Sequence, residues 1–247
     1  MPHLPPPPPL RDLIETQQVA LFLDFDGTLT ELAPGPDEVR IPEMLPPLLT
    51  SLARRLDGRL AIVSGRAVEW LQGAGLGAHI LSGTHGGEVL WPGRQVERTE
   101  RPAALEEVAA AFQAFADERS GVIVERKALA AGLHFRKVPE HGAAAEELAG
   151  EWARKTGLAV QAGKMMVELR PPGGSKGTAI QALMQRGPFA GAAPIFLGDD
   201  VTDEDGFAAA ETLGGFGIAV GERESEHARY HLPSVEEVHG WLAACET

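Results

Sequence analysis

Cysteine and basic residues are scarce in this sequence. Cys245 is the single cysteine among 247 residues, so no disulfide can form within the chain, which fits a reducing compartment. The 22 lysines and arginines are outnumbered by 35 aspartates and glutamates, and the formal charge is −13. This balance argues against nucleic acid or an anionic membrane as the main partner. It is compatible with a small anionic substrate, because a bound divalent cation can invert the local field.

Long apolar runs are also absent, and none approaches the ~20 residues needed to span a bilayer. The N-terminus has neither the basic segment nor the apolar segment of a secretory signal. We therefore expect a cytoplasmic protein. Five prolines at 5–9 predict a proline-rich leader over 1–17 in extended polyproline II conformation. We favour a disordered spacer over a ligand for a proline-binding domain.

The sequence does contain short apolar runs that end in acidic, glycine or serine residues. Such runs are typical of strands buried on both faces of a parallel sheet, and helical segments separate them. The predicted strands are 19–23, 59–63, 79–82, 194–198 and 217–220, and the predicted helices are 42–56, 67–72, 176–186 and 235–244. The pattern predicts an α/β fold whose core, 18–100 and 171–247, is a doubly wound, Rossmann-like parallel sheet.

Between 101 and 170 the pattern changes. Strands of alternating polarity are predicted at 122–125, 133–136, 158–161 and 165–169, with helices at 103–118 and 143–156. Alternation favours an antiparallel sheet with one face covered by helices and the other free. We predict that 101–170 form a smaller α+β domain inserted into the core.

Two carboxylates follow the first predicted strand. Asp24 and Asp26 are two residues apart and would point the same way if the strand stayed extended. One carboxylate could attack phosphorus while the other moves protons to and from the leaving oxygen. The alternative is an Asx-capped turn, which the apolar run before Asp24 and the Thr28-Leu29 pair after it make less favourable.

Two further polar groups are candidates for binding phosphate. Ser64, Gly65 and Arg66 end the second strand and offer a hydroxyl, an amide and a guanidinium. The alternative role for Ser64 is a helix N-cap. Lys176 begins a predicted helix, where its charge opposes the macrodipole, so a phosphate-binding role is favoured over a solvated surface lysine.

Acidic residues also follow the strand at 194–198. Asp199 and Asp200 precede the next helix, whereas Glu204 and Asp205 could simply be partners of its dipole. If Asp199 and Asp200 converge with Asp24 and Asp26, a hard cation must offset the repulsion. Oxygen ligands in this number indicate Mg²⁺.

These motifs resemble those of the haloacid dehalogenase superfamily of phosphohydrolases, whose four signatures match 24–29, Ser64, Lys176 and 199–203 in order. Within it the chain is similar to the trehalose-6-phosphate phosphatase family. The motifs that carry this similarity are 64–66, 83–88, 125–127, 133–136, 163–171, 175–177 and 198–204. The resemblance implies a cap domain at the insert and hydrolysis of trehalose 6-phosphate. The alternatives are a phosphatase for sucrose 6-phosphate or glucosylglycerol phosphate, a phosphomutase, and a sugar-phosphate sensor.

The resemblance also implies roles for individual residues. Asp24 would be the nucleophile and Asp26 the acid and base, with Ser64 and Lys176 on the phosphate. The ligands of Mg²⁺ would be the side chains of Asp24 and Asp199 and the backbone carbonyl of Asp26. Asp200 or Asp203 would support them, and of these two we place Asp200 among the ligands. The substrate-binding residues would be Ser64, Gly65, Arg66, His85, Glu88, Glu125, Lys127, Arg136, Glu168 and Lys176. A trehalose-6-phosphate synthase would be a functional partner.

Several of these substrate roles have structural alternatives. Glu125, Lys127 and Glu168 could form an exposed strand face, and His85 could tolerate an unusual turn between glycines. Arg136 could instead pair with acids of the insert. Phe135 stands where the family often has tyrosine. The tryptophans, Trp70 among them, are interpreted as packing residues.

Overall fold

The computed structural model describes residues 4–33, 38–163 and 165–245. The chain divides into two compact units, which we call the core unit (Met1–Arg98 with Gly174–Thr247) and the inserted unit (Thr99–Gly173). Residues 1–3 of the predicted leader and Lys164 of the 163–171 motif lie outside the described residues. No helix in the described ranges is long and apolar enough to cross a membrane.

The first part of the core unit alternates helices and strands. In chain order its elements are α1 (Leu10–Thr16), β1 (Val19–Leu23), α2 (Leu45–Arg55), β2 (Leu60–Val63), α3 (Val68–Leu71) continued by a π-helical turn (Gln72–Leu76), β3 (Ile80–Gly83), β4 (Glu88–Leu90) and β5 (Glu97–Arg98). All residues of β1 and β2 are buried. Helix α2 is amphipathic and buries Leu45, Leu48, Leu49 and Leu52, a spacing that places them on one face.

The inserted unit is an antiparallel sheet covered by two helices. Its elements are α4 (Ala104–Asp117), β6 (Ile123–Arg126), β7 (Ala131–His134), α5 (Gly142–Thr156), β8 (Ala159–Gly163) and β9 (Met166–Arg170), with the strand order β6-β7-β9-β8. Leu133 and Val167 share one sheet face, where they pack with Phe112 of α4 in the core of this unit. The other face places Glu125, Gly132 and Glu168 side by side in register.

The last part of the chain completes the core unit. Its elements are α6 (Lys176–Met184), β10 (Ala193–Gly198), α7 (Glu204–Thr212), β11 (Phe216–Val220), β12 (Ala228–Leu232) and α8 (Val235–Ala243). The sheet has the order β12-β11-β10-β1-β2-β3-β4-β5, parallel from β12 to β3 and antiparallel at β4 and β5. The predicted α/β fold with a buried parallel sheet is therefore confirmed.

The position of β1 determines where ligands can bind. It pairs with β10 on one side and β2 on the other, so the chain runs outward in both directions from this strand. In such sheets the strand order reverses at this point and a crevice opens at the carboxyl ends. The residues that follow β1, β2 and β10 are therefore brought to one edge of the sheet.

The expectation of a disordered leader is wrong for the described part of 1–17. The carbonyl of Pro5 accepts a hydrogen bond from His231 N, and that of Pro8 accepts one from Trp241 Nε1. Leu10 is fully buried in the core. Because the prolines dominate the local pattern, the single turn-length repeat of Leu10, Leu13 and Ile14 was too short to indicate α1.

Candidate active site

A buried ion-paired group lies at the end of β1. Asp24 is 3% exposed and Lys176, the first residue of α6, is 4% exposed. Lys176 Nζ donates to Asp24 Oδ1 at 2.7 Å and to Asp203 Oδ1 at 2.5 Å. Ser175 caps α6 by accepting a hydrogen bond from Thr178 N. A positive charge in the first helical turn interacts unfavourably with the macrodipole, and the two acidic partners of Lys176 offset this.

Three carboxylates, which we call the acidic group, converge around this lysine. Asp24, Asp199 and Asp203 offer oxygen atoms that all lie within 4.8 Å of one another. Asp203 Oδ2 accepts the backbone N–H groups of Asp199 at 3.0 Å and Asp200 at 2.9 Å. Asp199 Oδ1 is buried and has no hydrogen-bond partner in the described part of the chain. An oxygen-only donor set with an unsatisfied buried oxygen fits a hard divalent cation such as Mg²⁺.

The electrostatics of the group favour an additional positive charge. Burial raises the pKa of Asp24 well above its usual value, and repulsion from Asp203 and Asp199 adds to this while Lys176 opposes it. Burial and the charge of Asp203 raise the pKa of Asp199 to about 6. The pKa of Lys176 is raised in spite of its burial, because Asp24 and Asp203 stabilise its charge. One lysine does not offset three carboxylates, so the group can accept a cation.

Gly27 makes the close approach of Asp199 possible. It adopts φ +79°, and a Cβ atom added there would lie 2.1 Å from Asp199 Oδ2. A side chain at this position would be strained and would displace the carboxylate. The glycine after Asp26 is therefore required by the acidic group as well as by the turn.

Asp26 lies at the same strand end but has a different partner. Arg66 donates to it from Nε at 2.7 Å and from Nη2 at 2.8 Å, a bidentate ion pair. The guanidinium lies 3.9 Å from the ring centroid of Trp70, a cation–π contact. Trp70 also meets Phe25 edge-on at 5.6 Å. The packing role expected for Trp70 thus includes holding Arg66.

Ser64 and Gly65 shape the loop after β2. Ser64 is 1% exposed, and its Oγ accepts a hydrogen bond from Arg66 N at 3.1 Å. Its carbonyl accepts one from His85 N at 3.2 Å. A Cβ added at Gly65 would lie 2.8 Å from His85 Nε2, so the imidazole packs directly against this glycine. His85 has φ +53°, as the unusual-turn alternative expected, and it lies against the predicted phosphate loop.

Glu88, which was expected among the substrate-binding residues nearer the core, makes its hydrogen bonds within the core unit. It is 2% exposed, and its Oε2 accepts hydrogen bonds from Val68 N at 2.9 Å and Thr84 Oγ1 at 3.2 Å. Its Oε1 accepts one from Arg98 Nε at 2.9 Å. Both oxygens are thus used within the core unit, where Glu88 joins the start of α3 to the 84–86 turn and to β5.

Asp200 also differs from its expected role. Its side chain is exposed, and Oδ1 accepts a hydrogen bond from Val201 N at 2.6 Å, capping the turn Val201–Asp203. Asp200 therefore lies outside the acidic group, and Asp203 occupies the place expected for it. The reason is the helical turn Val201–Asp203. It brings the buried Asp203 carboxylate to the backbone N–H groups of Asp199 and Asp200, whereas the Asp200 side chain stays at the surface.

A second polar cluster belongs to the inserted unit. Lys127 Nζ lies 2.5 Å from Glu168 Oε2 and 3.7 Å from Glu125 Oε2. His134 Nε2 lies 2.8 Å from Glu125 Oε2, and this hydrogen bond is the main cause that lowers the pKa of Glu125. Gly132 lies between Glu125 and Glu168 in register, so no side chain separates the two acids. We call Glu125, Lys127, His134 and Glu168 the insert cluster.

Arg136 is not part of this cluster. It is exposed and follows β7, and no ion pair joins it to the acids of the insert cluster among the described residues. Phe135 beside it is buried in the core of the inserted unit and packs against Gly142. A tyrosine hydroxyl at this position would face that apolar core.

Arg223 contacts the loop after β10 and is held by Glu204, and neither residue was predicted as a site residue. Arg223 donates to the backbone carbonyls of Asp199 and Asp200 and to the carboxylate of Glu204. Glu204 was expected as a partner of the helix dipole and as the last residue of the 198–204 motif. Arg223 follows a predicted strand without any recognisable motif, so no local signal could have identified it.

Comparisons with known proteins show which family the chain resembles. Residues 22–236 match the family model described as trehalose-phosphatase. The chain is 39% identical over 230 residues to a probable trehalose-phosphate phosphatase of Sinorhizobium fredii, covering 91% of this chain and 86% of the relative. It is 36% identical over 234 residues to the trehalose-6-phosphate phosphatase of Escherichia coli, covering 92% and 86%.

A solved structure supports the same grouping. Trehalose-6-phosphate phosphatase of Aspergillus fumigatus superposes with a TM-score of 0.74 at 28% identity, covering 98% of both chains. The fold is also shared with a haloacid dehalogenase-like hydrolase of Bacteroides thetaiotaomicron, which superposes with a TM-score of 0.67 at 16% identity. The chain, an enzyme with a buried acidic site at the strand ends of a parallel sheet, therefore belongs to the trehalose-phosphatase family.

Proposed function

We propose that this enzyme hydrolyses trehalose 6-phosphate to trehalose and inorganic phosphate through a phosphoaspartate at Asp24, with Mg²⁺ as cofactor. The observation that carries the proposal is the buried Asp24 carboxylate, which lies beside Lys176 and within 4.8 Å of oxygen atoms of Asp199 and Asp203. A carboxylate in this environment can attack an electrophile, while the surrounding charges stabilise a phosphoryl group.

In the first step a carboxylate oxygen of Asp24 forms a bond to phosphorus, and the bond from phosphorus to the sugar oxygen breaks. Lys176 holds the orientation of Asp24 through its hydrogen bond to Oδ1. It also supplies positive charge next to the transferring group. Ser64 and the amide of Gly65 belong to the neighbouring strand end and are proposed to bind the phosphate oxygens.

Asp26 is proposed to donate a proton to the departing sugar oxygen and then to take one from the attacking water. That water forms the new bond to phosphorus and releases Asp24 as a free carboxylate. In the structure Asp26 is held by Arg66 in a bidentate pair. We propose that Arg66 turns to the substrate phosphate when it binds, which frees Asp26 for proton transfer.

Asp24, Asp199 and Asp203 are proposed to hold Mg²⁺, because their oxygen atoms lie within 4.8 Å of one another. The carbonyl of Asp26 is proposed as a further ligand. When bound, the ion would neutralise the carboxylates and the phosphate, which are otherwise mutually repulsive. Lys176 and Gly27 keep the carboxylates in place, since one binds two of them and the other leaves room for the third.

Sugar recognition is assigned to the insert cluster. Glu125, Lys127 and Glu168 provide two acceptors and a cation on a rigid antiparallel sheet. Each hydroxyl of a disaccharide needs a directional partner, and buried charged groups discriminate strongly against a ligand that lacks the matching hydroxyl. Glu168 is 4% exposed, so water has little access to its carboxylate. A ligand without the matching hydroxyl would therefore leave this carboxylate short of a hydrogen-bond partner. A trehalose-6-phosphate synthase would supply the substrate.

A panel of phosphate esters tests the proposal. Trehalose 6-phosphate, sucrose 6-phosphate, glucosylglycerol phosphate and glucose 6-phosphate are each assayed for phosphate release with Mg²⁺. We expect the highest kcat/KM for trehalose 6-phosphate. Comparable or better turnover of another ester would reject this substrate, and transfer of phosphate to a sugar without net release would indicate a phosphomutase.

A further inference from the structure

We propose that Arg223, held by Glu204, is a positioning residue that fixes the Asp199–Asp200 backbone and so prepares Asp199 for the metal ion. The inference rests on the proposed function, because it assigns a role in Mg²⁺ binding to residues that touch neither the phosphate nor the reacting atoms. All the contacts that carry it lie within the core unit.

The guanidinium of Arg223 binds two consecutive backbone carbonyls. Its Nε donates to the carbonyl of Asp199 at 3.1 Å, and its Nη2 donates to the carbonyl of Asp200 at 3.1 Å. Its Nη1 donates to the carbonyl of Glu224 at 2.8 Å, which ties the guanidinium to its own loop. A planar fork of this kind fixes direction as well as distance, which an ammonium cannot do.

The backbone N–H groups of the same two residues are fixed as well. Asp203 Oδ2 accepts the N–H groups of Asp199 and Asp200 at 3.0 and 2.9 Å. The peptide unit that joins Asp199 to Asp200 is therefore held by an anion at its N–H group and by a cation at its carbonyl, and the peptide units before and after it are each held at one group by Asp203 and Arg223, respectively. With both sides bound, the backbone of Asp199 has little freedom to rotate, and its carboxylate stays against Gly27.

Glu204 anchors the arginine in turn. Its Oε1 accepts a hydrogen bond from Arg223 Nη2 at 2.5 Å. Its Oε2 accepts three more, from Ser225 Oγ at 3.0 Å, His227 N at 3.0 Å and Glu226 N at 3.2 Å. This carboxylate at the start of α7 thus joins the loop after β11 to the loop after β10, and Arg223 is the link between them.

Arg223 also lines a cavity beside Asp199. With Gly27 and Asp199 it lines a cavity of about 430 Å³ in the core unit. Without its side chain, water could approach the carbonyls of Asp199 and Asp200 and compete for their hydrogen bonds. Loss of such outer contacts commonly lowers metal affinity by about 10–100-fold, because the ligands lose their orientation.

The test measures Mg²⁺ binding directly, by titration calorimetry of the full chain, alongside kinetics with trehalose 6-phosphate. We expect Arg223→Ala to raise the Mg²⁺ Kd by about tenfold, with a smaller change in the substrate KM at saturating Mg²⁺. Arg223→Lys keeps the charge without the fork, so it should recover only part of the affinity. Glu204→Gln should weaken Mg²⁺ binding in the same direction, because it loosens the anchor of Arg223.

Arg186→Ala is the matched control. Arg186 forms a bidentate pair with Glu97 at 2.7 and 2.9 Å on the surface of the core unit, and neither residue contacts the loop after β10 through these bonds. The Arg186→Ala variant should bind Mg²⁺ as the wild type does. If Arg223→Ala fails to fold, Arg223→Lys and Glu204→Gln decide the question.

A purely structural role would lower the Tm of the Arg223 variants but leave the Mg²⁺ Kd of the folded protein unchanged, and that result would overturn the inference. Failure of the proposed function has a different signature. In that case the wild-type protein itself would neither bind Mg²⁺ nor release phosphate from trehalose 6-phosphate. Wild-type binding and turnover with unaltered Kd in the Arg223 variants would reject the positioning role alone.

Discussion

Lys176 Nζ lies 2.7 Å from Asp24 Oδ1, and both side chains are almost completely buried. The two residues are 152 positions apart in the chain, so their contact depends on the whole core unit. It places a cation beside the proposed nucleophile before any substrate binds.

Replacing Lys176 should abolish phosphate release and destabilise the protein. Lys176→Met leaves Asp24 and Asp203 buried without their cation, which costs about 3–5 kcal/mol in typical buried pairs. Lys155→Met removes an exposed lysine that lies 3.6 Å from Glu107, and it should change neither property. Phosphate assays and urea unfolding at neutral pH measure both effects. Wild-type turnover in Lys176→Met would contradict the role of this residue.

Asp199 and Asp200 should differ sharply in Mg²⁺ binding. Asp199→Asn removes a charge from the acidic group, so we expect Mg²⁺ binding to be lost in calorimetry. Asp200→Ala removes only a cap of the turn Val201–Asp203 and should cost about 1 kcal/mol of stability. Equal loss of Mg²⁺ binding in the two variants would show that Asp200 is a ligand after all.

Gly27→Ala should impair the site although it adds one methyl group. The new Cβ would lie 2.1 Å from Asp199 Oδ2 at a residue with φ +79°. We expect weaker Mg²⁺ binding and a stability loss of about 1–3 kcal/mol. Gly73→Ala is the control, because nothing lies within 4 Å of a Cβ added there. Equal Mg²⁺ affinity in both variants would argue against the close packing of Asp199.

The stability of the metal-free protein should fall as the pH rises through about 6. The folded-state pKa of Asp199 is raised to about 6 from an ordinary value of 3.8, so between these values the folded state binds more protons than the unfolded state. Asp199 therefore favours folding on the acidic side of this window, and the advantage is lost as it ionises. Urea unfolding in a chelator from pH 5.5 to 7.5 measures the slope.

Asp199→Asn should flatten that slope, and saturating Mg²⁺ should flatten it in the wild type, because the ion stabilises the ionised carboxylate. A slope of opposite sign in the chelated wild-type protein would contradict the raised pKa of Asp199.

The insert cluster should affect sugar substrates selectively. Glu168→Gln or Lys127→Met should lower kcat/KM for trehalose 6-phosphate by about tenfold or more, as expected for hydrogen bonds to charged groups. Hydrolysis of p-nitrophenyl phosphate, which has no sugar hydroxyls, should change little. Lys155→Met is the matched control, since this exposed lysine of the inserted unit pairs with Glu107 outside the cluster. Equal losses on both substrates would indicate a structural role for the cluster.

The sequence was most informative where burial and chemistry coincide along a short segment. Val19–Leu23 is entirely buried and ends at Asp24, so the run predicted both the central strand and the site at its end. The Ser175-Lys176-Gly177 segment likewise predicted a helix start, and its lysine contacts Asp24 in the structure. The parallel sheet followed from several such runs, because each shows the same pattern independently.

Roles that depend on tertiary contacts could not be predicted. Glu88 receives hydrogen bonds from Val68 N and Arg98, and neither contact has a local sequence signal. The choice between Asp200 and Asp203 depends on one helical turn, which determines which carboxylate faces inward. The short strands β4, β5 and β12 were missed because two to five residues of mixed polarity carry too little periodicity.

The central claim, that Asp24 is phosphorylated during turnover of trehalose 6-phosphate, can be tested by chemical trapping. The enzyme is quenched during turnover with Mg²⁺, reduced with borohydride and analysed by peptide mass spectrometry, with Asp24→Asn as the control. Reduction of an acyl phosphate would convert Asp24 to homoserine, and we predict this change in the wild type only when substrate is present. Phosphate release with Asp24 unmodified under these conditions, or homoserine at a different aspartate, would contradict the account.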